Sequence, residues 1–189
     1  MSQTTDEPAT RGRPRSADRT GAILDAASDL LREVGYDALR MQDVAERAGA
    51  GLATIYRRWS TKEELIAAAI GHQRLISIEP TGDARADLRS MARVSAEELC
   101  KTGELMAGFM AAAHAHEILG EAVRAEAEVF RGGFSDVLGQ LLGEDHPLIP
   151  TLADAIPSLL MMRSGMLGEE IDPDRFADEY VALVDAVAR

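Results

Sequence analysis

Thr54, Tyr56, Arg57 and Arg58 crowd into five residues beside Trp59, and Lys62 follows shortly after. Hydroxyls, guanidinium groups and an ammonium are the groups that bind nucleic-acid phosphates. Arg57 or Arg58 also has the planar fork that pairs with guanine O6 and N7. Arg40, Gln42, Gly51, Leu52 and Ala53, just upstream, complete the candidate DNA-contacting set. The same residues also fit an ordinary charged surface helix carrying a half-buried Tyr56. A second cluster lies near the start, where Arg11, Arg13, Arg15 and Arg19 face Asp18 alone. Within it, Arg13 and Arg15 are the candidate DNA contacts. The cluster reads either as an arm reaching for a polyanion or as a solvated tail.

The overall charge opposes nucleic acid, with 20 Lys+Arg against 32 Asp+Glu and a net of −12. Its distribution does not. Residues 1–62 hold 10 basic and 9 acidic side chains, a net of +1, whereas residues 63–189 hold 10 and 23, a net of −13. A polyanionic partner is therefore expected at one end only.

Other chemistries find little support. Cys100 is the single cysteine, so neither an internal disulfide nor a multi-cysteine zinc site is available. His114 and His116, two apart on a helix, point to different faces and make a poor metal pair. One is expected to be exposed and the other to face a pocket. No Gly-rich phosphate loop, Gly-x-Ser-x-Gly elbow or His-Glu-x-x-His is present. Glu97-Glu98 and Glu169-Glu170 read as solvated faces. No enzyme activity, cofactor or metal is expected. No apolar run approaches the roughly 20 residues that span a bilayer, and the first 20 residues lack an apolar leader segment. A reduced, cytoplasmic location without membrane attachment is the expectation.

The elements that must position these side chains are helices. Hydrophobic residues make up 46% of the chain and aromatics only 4%, with Ala, Leu and Glu prominent. Residues 1–16, rich in Thr, Pro, Gly and Arg, read as a disordered basic arm. Ile23, Ala26, Ala27, Leu30, Leu31 and Val34 form one apolar stripe of a first helix, which Gly35 ends. Short helices follow over about 41–48, burying Met41, Val44, Ala45 and Ala48, and about 52–58, with Ile55 and the Trp59 ring facing inward. Gly49-Ala50-Gly51 separates them. Two short helices joined by a glycine-bearing turn make a helix-turn-helix, whose second helix enters the major groove. Thr61 and Glu64 fit a capping box for a fourth helix reaching the break at Pro80-Thr81-Gly82. Five more helices are predicted near 83–101, 104–117, 119–142, 148–168 and 173–188. Pro150 suits a first turn, Pro157 predicts a kink or local unwinding, and Asp172-Pro173-Asp174 starts the last helix. Gly132-Gly133 inside a helix points to close packing, a bend or a cavity.

Residues 19–66 resemble the N-terminal DNA-binding domain of the TetR family of bacterial transcription regulators. The resemblance is carried by Thr-Ile-Tyr-Arg-Arg-Trp at 54–59 with Lys62 and Leu65, and by Gly-Arg-Pro-Arg at 12–15. It covers about a quarter of the chain. It implies an all-α fold of about nine helices, with an N-terminal three-helix helix-turn-helix domain and a C-terminal helical domain for ligand binding and dimerisation. The divisions are 1–16 for the arm, 17–62 for the DNA-binding domain and 63–189 for the larger domain. It further implies a homodimer, a palindromic double-stranded operator and a ligand-released repressor, with Thr54, Tyr56 and Lys62 at positions that hold the operator. Two departures stand out. Arg40-Met41 stands where the family often has Thr or Ser, which removes a side-chain cap worth about 1 kcal/mol. Gly51 stands where Ser is common.

The larger part carries two further apolar stripes. One is Leu148, Leu152, Ile156, Leu159, Leu160, Met166 and Leu167, and the other Phe176, Tyr180, Leu183, Val184 and Val187. Both suit core. By the resemblance they also pair with their mates across a dimer, because no later element covers the last helix. Met106, Phe109, Met110, His114, Phe130, Phe134, Met162 and Met166 are candidates to line a site for a small apolar or amphipathic ligand, since Met adapts to varied apolar shapes. A small-molecule-binding protein or enzyme that merely retains the N-terminal unit, and a transcription activator on the same scaffold, are the other readings.

Overall fold

The computed structural model describes residues 15–72, 80–101 and 103–189, with the side chains of 15–18 and 103–107 left out. Residues 1–14 of the basic arm, including Arg13, and the Met106 side chain lie outside the described residues, as does the Arg15 side chain; residues 15 and 16, expected in the arm, instead open the first helix. All regular structure among the described residues is helical: α1 (Arg15–Ala38), α2 (Met41–Arg47), α3 (Leu52–Tyr56), α4 (Lys62–His72), α5 (Ala84–Cys100), α6 (Gly103–Ala115), α7 (Glu117–Leu142), α8 (Ile149–Leu160) and α9 (Pro173–Val187). A π-helical segment, Met161–Met166, continues α8.

Two apolar clusters organise these helices. The first gathers Ile23, Ala27 and Leu30 of α1, Val44 of α2, Ile55 of α3 and Leu65 and Ile66 of α4. It also takes in Ala112, Ala113 and Leu119, where α6 meets α7. The first helix buries most of the face its spacing predicts, with Leu31 half-buried and Val34 outside. Val34 is 41% exposed, because Gly35 takes φ 76° and turns the chain before the stripe closes. Tyr36 and Leu39 beyond the turn are buried in its place. Ala48 and Trp59, both expected inside, are half-buried against this cluster.

The second cluster holds Leu88, Met91 and Ala92 of α5, Phe134 and Leu138 of α7, Leu152, Ile156 and Leu160 of α8, and Phe176, Tyr180 and Val184 of α9. The last helix is therefore covered, by α5. Arg85 pairs with Asp185, and Arg89 with Asp174 and Asp178, along that seam. Asp83 caps α5 by accepting from Arg85 N–H and Ala86 N–H at 3.0 and 3.1 Å, and Asp172 caps α9 in the same way. Tyr180 Oη donates to Leu152 O at 2.8 Å, tying α9 to α8.

α7 spans both clusters. Its 26 residues give a rod of about 39 Å, anchored by Leu119 at one end and by Phe134 and Leu138 at the other. Gly120 is required where α7 meets α6, since a Cβ there would lie 2.8 Å from Ala113 O. Gly133 lies beside Met91, at 3.5 Å from a notional Cβ, while the space at Gly132 is open. Close packing thus explains one of the pair. α8 continues through Pro157, and the widening to π-helix starts at Met161, one turn later than the proline predicts.

Candidate nucleic-acid interface

The turn between α2 and α3 follows from its glycines. Gly49 takes φ 59°, a left-handed conformation that other residues rarely adopt. Gly49 N–H then bonds Glu46 O, and Ala50 N–H bonds Ala45 O, the paired bonds of a Schellman stop. Gly51 is the N-cap of α3 and Arg40 that of α2, and neither cap is made by a side chain. Thr61 Oγ1 accepts from Glu64 N–H at 3.2 Å, and the Glu64 carboxylate accepts from Ser60 N–H at 2.6 Å. The capping box at α4 therefore closes one residue earlier than a strict box.

Helical periodicity puts Ala53 roughly opposite Ile55 on α3, with Leu52 and Tyr56 on the flanks between them. Ile55 is fully buried, while Leu52 is 37% and Tyr56 49% exposed. Arg40, Gln42, Gly51, Ala53 and Arg57 are exposed as well, and Thr54 is half-buried. The Gln42 amide donates to Glu46 Oε1 at 3.2 Å.

The nearby cations divide into two sets. Arg47 clasps Glu33 through two bonds of 2.6 and 2.7 Å, holding α2 to α1. Arg58 donates to Thr20 Oγ1 on α1. Lys62 Nζ donates to Tyr36 O at 2.8 Å and sits 4.0 Å from the Tyr36 ring centroid. Leu39 O accepts a longer bond of 3.4 Å from the same ammonium. Arg40 and Arg57 bond described residues only through their main chain, and their side chains make no hydrogen bond or ion pair with any described residue. Of the candidate contacts, Arg58 and Lys62 are thus turned toward the first helix. Their partners lie 38 and 26 residues away, beyond the reach of local spacing arguments.

Tyr36 lies in the first cluster, where α1 meets α4 and the junction of α6 with α7. Its hydroxyl donates to Glu63 Oε1. Burial, reinforced by that bond, pushes the Tyr36 hydroxyl far above its ordinary range, and the bond holds the Glu63 carboxyl below the ordinary 4.5. The His116 ring packs 6.1 Å from that of Tyr36. Both His114 and His116 are exposed, so the expected division into one exposed and one pocket-facing imidazole is replaced by a junction contact. Sequence reasoning passed over Tyr36, Glu33 and Glu63, which no local motif singles out.

The ligand candidates fall in separate places. Phe130 and Phe134 stack at 4.7 Å within the second cluster, and Phe134 meets Tyr180 edge-on at 6.4 Å. Phe109 packs on the first cluster. Met110, His114, Met162 and Met166 are exposed, Met166 at 74%.

A three-helix unit that seats a short, exposed helix beyond a glycine turn, on a larger helical body, defines a helix-turn-helix DNA-binding regulator. The sequence profile of bacterial regulatory proteins of the tetR family matches residues 23–69. The DNA-binding transcriptional repressor TetR of Mycobacteroides abscessus is 32% identical over 189 aligned positions, covering 93% of this chain and 98% of that protein. The uncharacterized HTH-type transcriptional regulator YdeS of Bacillus subtilis is 52% identical over 56 residues, 30% of this chain and 28% of its own length. The fold matches the crystal structure of a TetR-family transcriptional regulator from Rhodococcus sp. with a TM-score of 0.73 at 22% identity, over 92% of this chain and all of that one. The chain belongs to the TetR family of helix-turn-helix transcriptional regulators. None of its described helices is long and apolar enough to cross a membrane.

Proposed function

We propose that the chain is a homodimeric cytoplasmic repressor that binds a palindromic double-stranded operator and releases it when a small molecule binds the larger domain. The observation that carries the reading is the exposed face of α3, with Tyr56 at 49% and Leu52 at 37% exposure directly over the buried Ile55. α3 is the element that enters the major groove, Arg40, Thr54 and Arg57 contact phosphates beside it, and the arm carrying Arg13 and Arg15 follows the backbone. Gln42, Gly51 and Ala53 line the same contact. Arg58 and Lys62 serve by positioning, since their side chains already bond α1. Residues 17–62 form the reading head and 63–189 the larger domain.

A palindrome calls for two heads about 34–36 Å apart. The exposed Leu159, Met162 and Leu183 supply an apolar face for a second copy. The ligand reading rests on α6 packing against the π-helical segment, where Met110, Met162 and Met166 remain exposed, and π-helical turns recur at functional sites. A ligand shifts operator affinity only through its differential affinity for the two head spacings.

Selection of bound duplexes from a random pool tests the reading. A palindrome is expected, and Tyr56→Ala should lower affinity for it by at least tenfold while sedimentation still reports a dimer. Failure to enrich any sequence, or full affinity in the variant, would remove α3 as the reading element.

A further inference from the structure

We infer that the operator half-site is read chiefly through thymine methyl groups, which Leu52 and Ala53 contact in the major groove, and not through arginine–guanine pairs. The inference rests on the operator-binding reading above and specifies the bases it selects.

The argument is one of elimination among side chains of the reading helix. Leu52 and Ala53, the first two residues of the helix, are exposed, as is Tyr56, while Ile55 is buried. Bidentate reading of guanine needs an Arg or Lys aimed at a base edge. Arg58 is drawn back onto Thr20 Oγ1, and Lys62 onto Tyr36 O and Leu39 O. Arg47 is committed to both oxygens of Glu33. Arg57, still exposed, is the C-cap of α3, one turn beyond Ala53 and away from the N-terminal residues that meet base edges in this motif. Arg40 caps α2, the helix that crosses the backbone. The part of α3 that enters first is therefore apolar.

An exposed leucine on a small protein head is unremarkable in isolation. Here its position supplies the occupant: the groove floor, with which the exposed face is continuous. The one apolar group that floor offers is the C5 methyl of thymine, and apolar side chains read it by contact. Bringing a methyl and the Leu52 branch together removes both from water, and the gain of roughly one buried carbon corresponds to about a fourfold change in affinity. Gln42 lies on the neighbouring helix, with its amide already directed by Glu46.

The experiment uses the full chain and the duplex selected above. Each thymine is replaced in turn by deoxyuridine, which deletes only the methyl group. We expect at least one thymine in each half-site to show a three- to fivefold loss, with the other thymines unchanged. Leu52→Ala should weaken binding to the parent duplex by a similar factor. The deoxyuridine substitution should then cost little or nothing in that variant, because the two changes remove one contact. Leu52 is exposed, so the variant should keep its parent's melting temperature, which is measured alongside. Equal binding of every deoxyuridine duplex, or a selected half-site whose affinity depends on guanine O6 and N7 and not on any methyl, would overturn the inference while leaving operator binding intact. An empty selection would overturn both.

Discussion

The two clusters of the molecule treat apolar surface in opposite ways. Around α1–α4 most large apolar residues are buried, and Val34, Leu52 and Tyr56 are the large hydrophobic side chains left exposed among the described residues. Around α8, the π-helical segment and α9 the inner face is equally well filled, yet Leu148, Leu159, Met161, Met162, Met166, Leu167 and Leu183 stay exposed. A helix pair apolar on two sides is a helix pair awaiting a neighbour. The first region leaves little apolar surface outside, and the second leaves much.

Introducing charge on the outer face should break that contrast most forcefully. Leu159→Glu combined with Leu183→Glu buries two unpaired carboxylates if the face is an interface, at a cost of several kcal/mol. Sedimentation should show dimerisation weakened more than a hundredfold and operator affinity falling with it, while helical content stays unchanged. A variant that remains dimeric would place the second copy elsewhere.

A smaller effect probes the rod that joins the regions. Gly120→Ala forces a methyl to within 2.8 Å of Ala113 O, and overpacking of this kind costs about 1–3 kcal/mol. A drop in melting temperature of roughly 3–9 °C is expected. Gly132→Ala, on the same helix with open space around it, should move the other way by about 0.5–1 kcal/mol through helix propensity. Loss of stability in both would mean that α7 is strained along its length.

The smallest effect compares one tyrosine from each region. Tyr36 donates to the Glu63 carboxylate and Tyr180 to the neutral Leu152 O. The Glu63 pKa is depressed by folding, so its contribution is full above the ordinary 4.5 and is lost as the pH falls through the lower folded value. Urea denaturation should show a stability gap between the parent and Tyr36→Phe that holds from neutrality to about pH 5 and narrows below it. The gap for Tyr180→Phe should stay level over the same range. A level gap for both would sever Glu63 from Tyr36.

Sequence spacing was sufficient for the reading head because its determinants are local. Gly35 and Gly49 stop helices within one turn, and Ile23, Ala27 and Leu30 repeat at helical steps. It missed the outward turn of Val34 and the intramolecular partners of Arg58 and Lys62, whose surroundings depend on chain returning from elsewhere. Spacing also could not divide the stripe of α8. Leu152, Ile156 and Leu160 are inside while Leu148 and Leu159 are outside, because coverage by α5, α7 and α9 settles which side of an apolar helix is internal. The hydrogen bond from Arg58 to Thr20 joins residues 38 apart, and nothing in either neighbourhood announces the other.

The grip of Lys62 on Tyr36 O and Leu39 O has a consequence for how such a protein diversifies. Carbonyl oxygens belong to every amino acid, so these two bonds do not depend on which side chains stand at 36 and 39, although burial and the ring under the ammonium do. The frame around α3 is held in part through the main chain, which leaves the side chains exposed on α3 open to evolutionary change.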